Sequence, residues 1–145
     1  SRERIKWHKD RGDIVIAISG SPIELVKEMS SKYNMDDYRG TIYKLDENNK
    51  YNGDIIPMWD SESKEKAILE LCEKYDIDLS KSYAYGDTAG DFTMFKYVGI
   101  PYAMNPTREL ISKILENEEI KNKINIIVER KDVTYKLDIN SLSLI

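Results

Sequence analysis

Apolar residues along this chain switch between short unbroken runs and helical spacing, the pattern of strands alternating with helices. Ile14-Val15-Ile16-Ala17-Ile18 is a fully apolar run of the kind found in a buried strand, and Val98 to Met104 is another. Between them the spacing predicts a helix over 63–75, with Ala67, Ile68, Leu71, Cys72 and Tyr75 on one face, a strand over 82–85 and a short helix over 91–97. Ser21-Pro22-Ile23-Glu24 carries a helix start, with Ser21 as cap, Pro22 in the first turn and Glu24 closing a capping box. Leu25, Val26, Met29 and Tyr33 then form the apolar stripe of that helix.

The flanks are less regular. Residues 2–10 predict a charged helix ended by Arg11-Gly12-Asp13, and residues 39–57 predict a hairpin or irregular β excursion with turns at Asp46-Glu47-Asn48-Asn49 and Asn52-Gly53. Asn105-Pro106 opens a last helix carrying Leu110, Ile111, Ile114 and Leu115, and residues 125–129 add an apolar run. The tail beyond 138 has no assignable pattern. The expected fold is α/β, a three-layer Rossmann-like core with a mainly parallel sheet, in one domain spanning residues 1–145.

Composition narrows the classes. Apolar residues are 41% and charged residues 33% of the 145, a globular balance. Twenty-two basic and 26 acidic residues interleave to a net charge of −4, which argues against a nucleic-acid groove. No apolar run is long enough for a membrane helix and the start carries no signal-peptide core, so the expected location is cytoplasmic. The single cysteine, Cys72, reads as helix core, and the single histidine, His8, as a surface or packing residue rather than a zinc ligand. The ten tyrosines are scattered and do not form a base-stacking platform.

Three segments could carry chemistry. Tyr85-Gly86-Asp87-Thr88-Ala89-Gly90-Asp91 places two carboxylates four residues apart in a turn straight after a strand, where α/β sheets bind ligands and where a hard cation such as magnesium relieves their repulsion. Its plain alternative is a solvated turn in which Thr88 or Asp91 caps the next helix. Ser19-Gly20-Ser21 ends an apolar strand at a helix start, a place for an anion or merely a serine cap. Lys64 opens a helix within a run of charges, which taken alone reads as solvated. Together a hydroxyl, a lysine and paired aspartates at strand ends are the set that phosphoryl transfer needs.

The order of these segments resembles the haloacid dehalogenase superfamily, in particular its branch that includes phosphoserine phosphatase. Ser19 matches the second motif of that family, Lys64 the third, and Gly86-Asp87 with Asp91 the fourth. The likeness continues through Tyr75-Asp76-Ile77-Asp78-Leu79, Val98-Gly99-Ile100-Pro101 and Asn105-Pro106, and covers roughly residues 2–116. It implies a magnesium-dependent phosphomonoester hydrolase acting on a small phosphorylated metabolite. Asp87 would bind magnesium and Asp91 support it from close by. Lys64 would hold the phosphoryl group and the nucleophile, and Ser19 with Gly20 would bind phosphate oxygens.

The family's first motif, a strand followed by Asp-x-Asp whose first aspartate attacks phosphorus, is expected upstream of these residues, together with the helical cap. Asp76-Ile77-Asp78 fits its letters but follows a helix and comes after Lys64. Gly90 stands where phosphoserine phosphatases carry asparagine, which favours a related small phosphomonoester. Without the first strand its neighbours expose unpaired edges, so a homodimer or a strand-swapped assembly is expected. The competing reading is a non-catalytic fragment or degenerate relative that binds without turnover. A phospho-accepting signalling receiver uses similar groups in another order, with acidic residues first and lysine last.

Overall fold

The computed structural model describes residues 2–145. They fall into two compact units, one ending at Trp59 and one spanning Asp60–Ile145. The protein is mixed α/β, and among the described residues three of the five strand pairings are parallel. The strands hydrogen-bond as two sheets, of three and four strands. No described helix is long and apolar enough to cross a membrane.

The first unit begins with helix α1 (Arg2–Asp10). His8 on it is buried, its Nδ1 lying 2.7 Å from Asp13 Oδ2, so it is a packing residue. Strand β1 (Ile16–Pro22) leads into α2 (Ile23–Lys32), then β2 (Asp37–Leu45) and β3 (Tyr51–Ile56). β1 pairs parallel with β2, and β2 antiparallel with β3, giving the order β1-β2-β3. The Asp46–Lys50 turn of the hairpin is held by the Asp46 carboxylate, which accepts from the backbone N–H groups of Asn48 (2.8 Å) and Lys50 (3.0 Å). Asn52-Gly53 is no second turn. Gly53, at φ +88°, lies within β3, and three residues, 52–54, bulge opposite the single residue Lys44.

Two expectations for α2 fail. Ser21 is not its cap: the strand runs on through Pro22, whose extended backbone (φ −52°, ψ 137°) occupies the cap position without a side-chain hydrogen bond. Nor is the predicted stripe its buried face. Val26 and Ser30 are buried, while Leu25 and Met29 are exposed. The reason lies in Gly40 of β2, where any Cβ would come within 2.7 Å of Ile23 Cα, so β2 draws α2 in close and turns its Val26 side inward.

The second unit opens with α3 (Ser61–Tyr75), two residues longer at its start than the spacing predicts. Asp60 caps it by accepting from Ser63 N at 2.7 Å, and Asp76 ends it in the left-handed conformation (φ 50°). Strand β4 (Tyr83–Gly86) and helix α4 (Phe92–Tyr97) follow. β5 spans Ile100–Met104, starting later than predicted because Gly99 bonds back to Leu79 O. α5 (Arg108–Leu115) is capped by Thr107 rather than opened by Asn105-Pro106, and α6 (Glu118–Lys121) and β6 (Asn125–Glu129) complete the parallel part. β7 (Thr134–Leu137), invisible in the sequence pattern, pairs antiparallel with β6, so the sheet order is β4-β5-β6-β7.

Phe95, Ala103, Leu110, Ile111, Ile114, Ile120, Ile126 and Ile139 form one buried cluster between this sheet and its helices. Each large member contributes about 2 kcal/mol by leaving water. That cluster fixes β4 and β5 side by side and so fixes the turns at their carboxyl ends. Ala67, Ile68 and Leu71 bury the predicted face of α3, with Cys72 half-buried and its Sγ donating to Ile77 O at 3.2 Å.

Candidate active site

The acidic turn is built on Asp91. β4 ends at Gly86, Asp87 and Thr88 follow, and a single 3-10 turn (Ala89–Asp91) runs into α4. Asp91 Oδ2 accepts from the backbone N–H groups of Asp87 (2.9 Å) and Thr88 (3.1 Å) and from Thr88 Oγ1 (3.4 Å). Thr88 and Asp91 close a capping box. The capping alternative raised for this segment is therefore present, but the turn is not simply solvated: Asp91 is only 4% exposed. Gly86 is required beneath it, since a Cβ there would stand 2.7 Å from Asp91 Cγ.

The other oxygen of Asp91 meets Lys64. Lys64 is the fourth residue of α3, and its Nζ donates to Asp91 Oδ1 in an ion pair whose side chains are 7% and 5% exposed. A lysine within a run of charges is usually solvated, so this burial is what separates Lys64 from its neighbours. Ser61 Oγ adds contacts to the carbonyls of Ala89 (3.5 Å) and Gly90 (3.4 Å), tying the start of α3 to the acidic turn. Nζ has three N–H donors, and one is committed to Asp91.

Asp87 differs from Asp91 in every respect that matters for a ligand. It is exposed, and its carboxylate has no partner among the described residues. Its main chain is fixed on both sides, N–H to Asp91 and C=O accepting from Thr107 N at 2.9 Å. The result is a free carboxylate on a rigid turn, next to a buried carboxylate already neutralised by a lysine. Among the described residues no group of three or more His, Cys, Asp or Glu could hold a metal ion. Asp87 is the carboxylate of this turn left open to a cation, since both oxygens of Asp91 are engaged.

Ser19 and Gly20 belong to the other unit and lie inside β1 rather than beyond its end. Ile18 pairs with Arg39 and Pro22 with Thr41, so three residues, 19–21, face Gly40 alone and the strand bulges there. Ser19 Oγ accepts from Ser21 N at 3.2 Å, which leaves its O–H to donate. Gly20 O accepts from Oγ1 of Thr41, a fully buried residue of β2. Lys64, Asp87 and Asp91 are thus brought together in one unit, and the Ser19-Gly20 bulge is a separate construction in the other.

Thr41, Ser61 and Thr107 support these groups without drawing notice in the sequence. Thr107 carried a signal, a threonine directly before Arg108-Glu109-Leu110, and Thr41 and Ser61 carried none. Asp76 ends α3 through its backbone, and Asp78 uses its carboxylate at a helix start. Asp78 caps a 3-10 turn, and the Ser80 hydroxyl, against an opposing cost of burial and with help from the Ser80 backbone N–H, holds its carboxyl below the ordinary value.

A family model of haloacid dehalogenase-like hydrolases matches residues 23–129. The phosphoserine phosphatase of Methanocaldococcus jannaschii is 28% identical over 134 residues, covering 92% of this chain and 58% of that protein. A Streptomyces azureus protein named for inhibition of morphological differentiation is 32% identical over 106 residues, 73% of this chain and 38% of its own length. Among solved structures, apo phosphoserine phosphatase superposes with a TM-score of 0.70 at 26% identity, covering 90% of this chain and 60% of that one. A phospho-aspartyl intermediate analogue of phosphoserine phosphatase gives 0.67 at 25% identity, with 90% and 58% covered. The chain therefore spans less than two thirds of the length of each of these relatives.

Proposed function

Because the chain belongs to the haloacid dehalogenase-like hydrolases, we propose that it is the phosphate- and cation-binding portion of a magnesium-dependent phosphomonoester hydrolase that works through an aspartyl-phosphate. The observation that carries this reading is the buried Lys64–Asp91 pair beside the exposed carboxylate of Asp87, which has no partner among the described residues. A buried lysine neutralised by one aspartate still has two N–H donors for phosphoryl oxygens, and its position costs no reorganisation when a substrate arrives. Asp87 would hold magnesium, with Asp91 behind it, and the bound ion supplies neutralisation of charge on the phosphoryl oxygens. Ser19 O–H and the backbone at Gly20 are the phosphate-binding groups of the first unit in this reading.

The nucleophile in this reading is the first aspartate of an Asp-x-Asp pair carried on a strand outside residues 1–145, the second serving as acid and base. Support comes from Asp78, whose carboxylate is occupied in capping a 3-10 turn, and from β1 and β4, each the edge strand of its sheet. An edge strand offers a row of backbone groups that an added strand can pair. The substrate class is a small phosphomonoester, in keeping with the relatives named phosphoserine phosphatase.

The test is hydrolysis of a simple aryl phosphate by the protein extended upstream through an Asp-x-Asp strand, beside residues 1–145 alone. Turnover in the extended protein only, abolished by chelation of magnesium, is expected. Turnover by residues 1–145 alone, or turnover indifferent to chelator, would contradict the reading.

A further inference from the structure

We infer that Thr41 is a positioning residue for phosphate binding, acting through the Gly20 carbonyl; the inference rests on the phosphatase reading and deepens its account of Ser19 and Gly20. Thr41 is a polar residue with no exposure at all, which is uncommon unless its hydroxyl is satisfied. Here the hydroxyl is used twice. Oγ1 donates to Gly20 O at 2.8 Å and accepts from Met58 N at 3.1 Å. A hydroxyl has one donor and two acceptor lone pairs, so a single small side chain can bridge a carbonyl and an amide in this way.

The place of this bridge gives it its meaning. In the Ser19–Ser21 bulge the regular ladder with β2 is interrupted, so the backbone there lacks the strand hydrogen bonds that would otherwise fix it. Thr41 stands opposite Pro22, at the far side of the bulge, and supplies the missing tie to Gly20 O from the side chain. Holding that carbonyl orients the Gly20–Ser21 peptide, and with it the Ser21 N–H that bonds Ser19 Oγ at 3.2 Å. The direction left for the Ser19 O–H is therefore set two hydrogen bonds away from Thr41. The chain leaving β3 is fastened to the same oxygen through Met58, so loss of the hydroxyl strands a part-buried acceptor and a part-buried donor together.

The experiment measures inhibition of the upstream-extended enzyme by inorganic phosphate in wild type, Ser19→Ala, Thr41→Val and Thr41→Ser, with thermal unfolding of each recorded in parallel. Thr41→Val keeps the shape and removes both hydrogen bonds, and phosphate affinity should fall about tenfold, the weight of one hydrogen bond. Thr41→Ser keeps the hydroxyl and should restore wild-type affinity even if it unfolds at a lower temperature, a rescue that a purely structural role would not produce. Should valine prevent folding, Thr41→Ala removes the same oxygen without adding a methyl. Affinity unchanged in Thr41→Val while Ser19→Ala is weakened would overturn the inference and leave the phosphatase reading intact. Equal losses in Thr41→Val and Thr41→Ser would also overturn it. No response to phosphate in wild type would instead remove the reading on which it rests.

Discussion

Breaking the Lys64–Asp91 pair should destabilise the protein unequally according to which partner is removed. Both side chains are buried, 7% and 5% exposed, so deleting either leaves a charge out of water, at a cost of about 3–5 kcal/mol. In Lys64→Met the stranded Asp91 carboxylate keeps three donors, Asp87 N, Thr88 N and Thr88 Oγ1, and the loss should sit near the lower end, about 3 kcal/mol. In Asp91→Ala the ammonium is left without its one side-chain partner and the acidic turn loses its anchor, so the loss should reach about 5 kcal/mol or more. Removing both relieves the unpaired charge. The double variant should be less destabilised than the sum by about 2 kcal/mol, well above the ~0.5 kcal/mol scatter of independent sites. Urea unfolding followed by circular dichroism, with the midpoint and slope fitted for all four proteins, gives the cycle. Additive losses, or a greater loss in Lys64→Met than in Asp91→Ala, would refute the reasoning that Asp91 is held by both the lysine and the turn.

Three further substitutions probe the frame around the site. Phe95→Ala empties a fully buried place in the main cluster and should cost about 3–5 kcal/mol in the same urea assay, whereas Tyr51→Ala on the exposed hairpin should stay within about 0.5 kcal/mol. The backbone N–H of Ser63 holds the Asp60 carboxyl below its ordinary value of 3.8, so the cap contributes stability above that value and loses it as pH falls through the lower, folded-state value. Thermal midpoints measured down the acid limb should therefore fall less steeply in Asp60→Asn than in wild type, and identical slopes would count against the cap.

Long-range order was legible where one side chain type repeats at a fixed period. The face of α3 and the glycine-aspartate turn after β4 each declare themselves locally, and the structure builds both, whereas of the run at 14–18 only Ile16–Ile18 enter β1, an edge strand, and Ile14 is exposed. What escaped notice depends on partners distant in sequence. Lys64 looks solvated among Glu62, Glu65 and Lys66 until Asp91, 27 residues on, is seen to neutralise it. Ser21 looks like a cap because its letters fit, but the strand runs on through the bulge at 19–21 to Pro22, one residue past Ser21. Thr41 resembles any threonine of a strand, and only the interrupted ladder opposite gives its hydroxyl a task. β7 is too short and too exposed to leave a period at all.

The central claim is that these residues serve a phosphatase whose nucleophile is an aspartate on a strand beyond them. The most direct measurement is a quench of the upstream-extended protein during turnover of an aryl phosphate, followed by mapping of any protein-bound phosphoryl group. The account predicts an acyl-phosphate cleaved by hydroxylamine, mapped outside residues 1–145, and its loss together with turnover in Asp87→Asn. A phosphoryl group on Ser19, Asp76 or Asp78, or turnover that proceeds unchanged in Asp87→Asn, would contradict it.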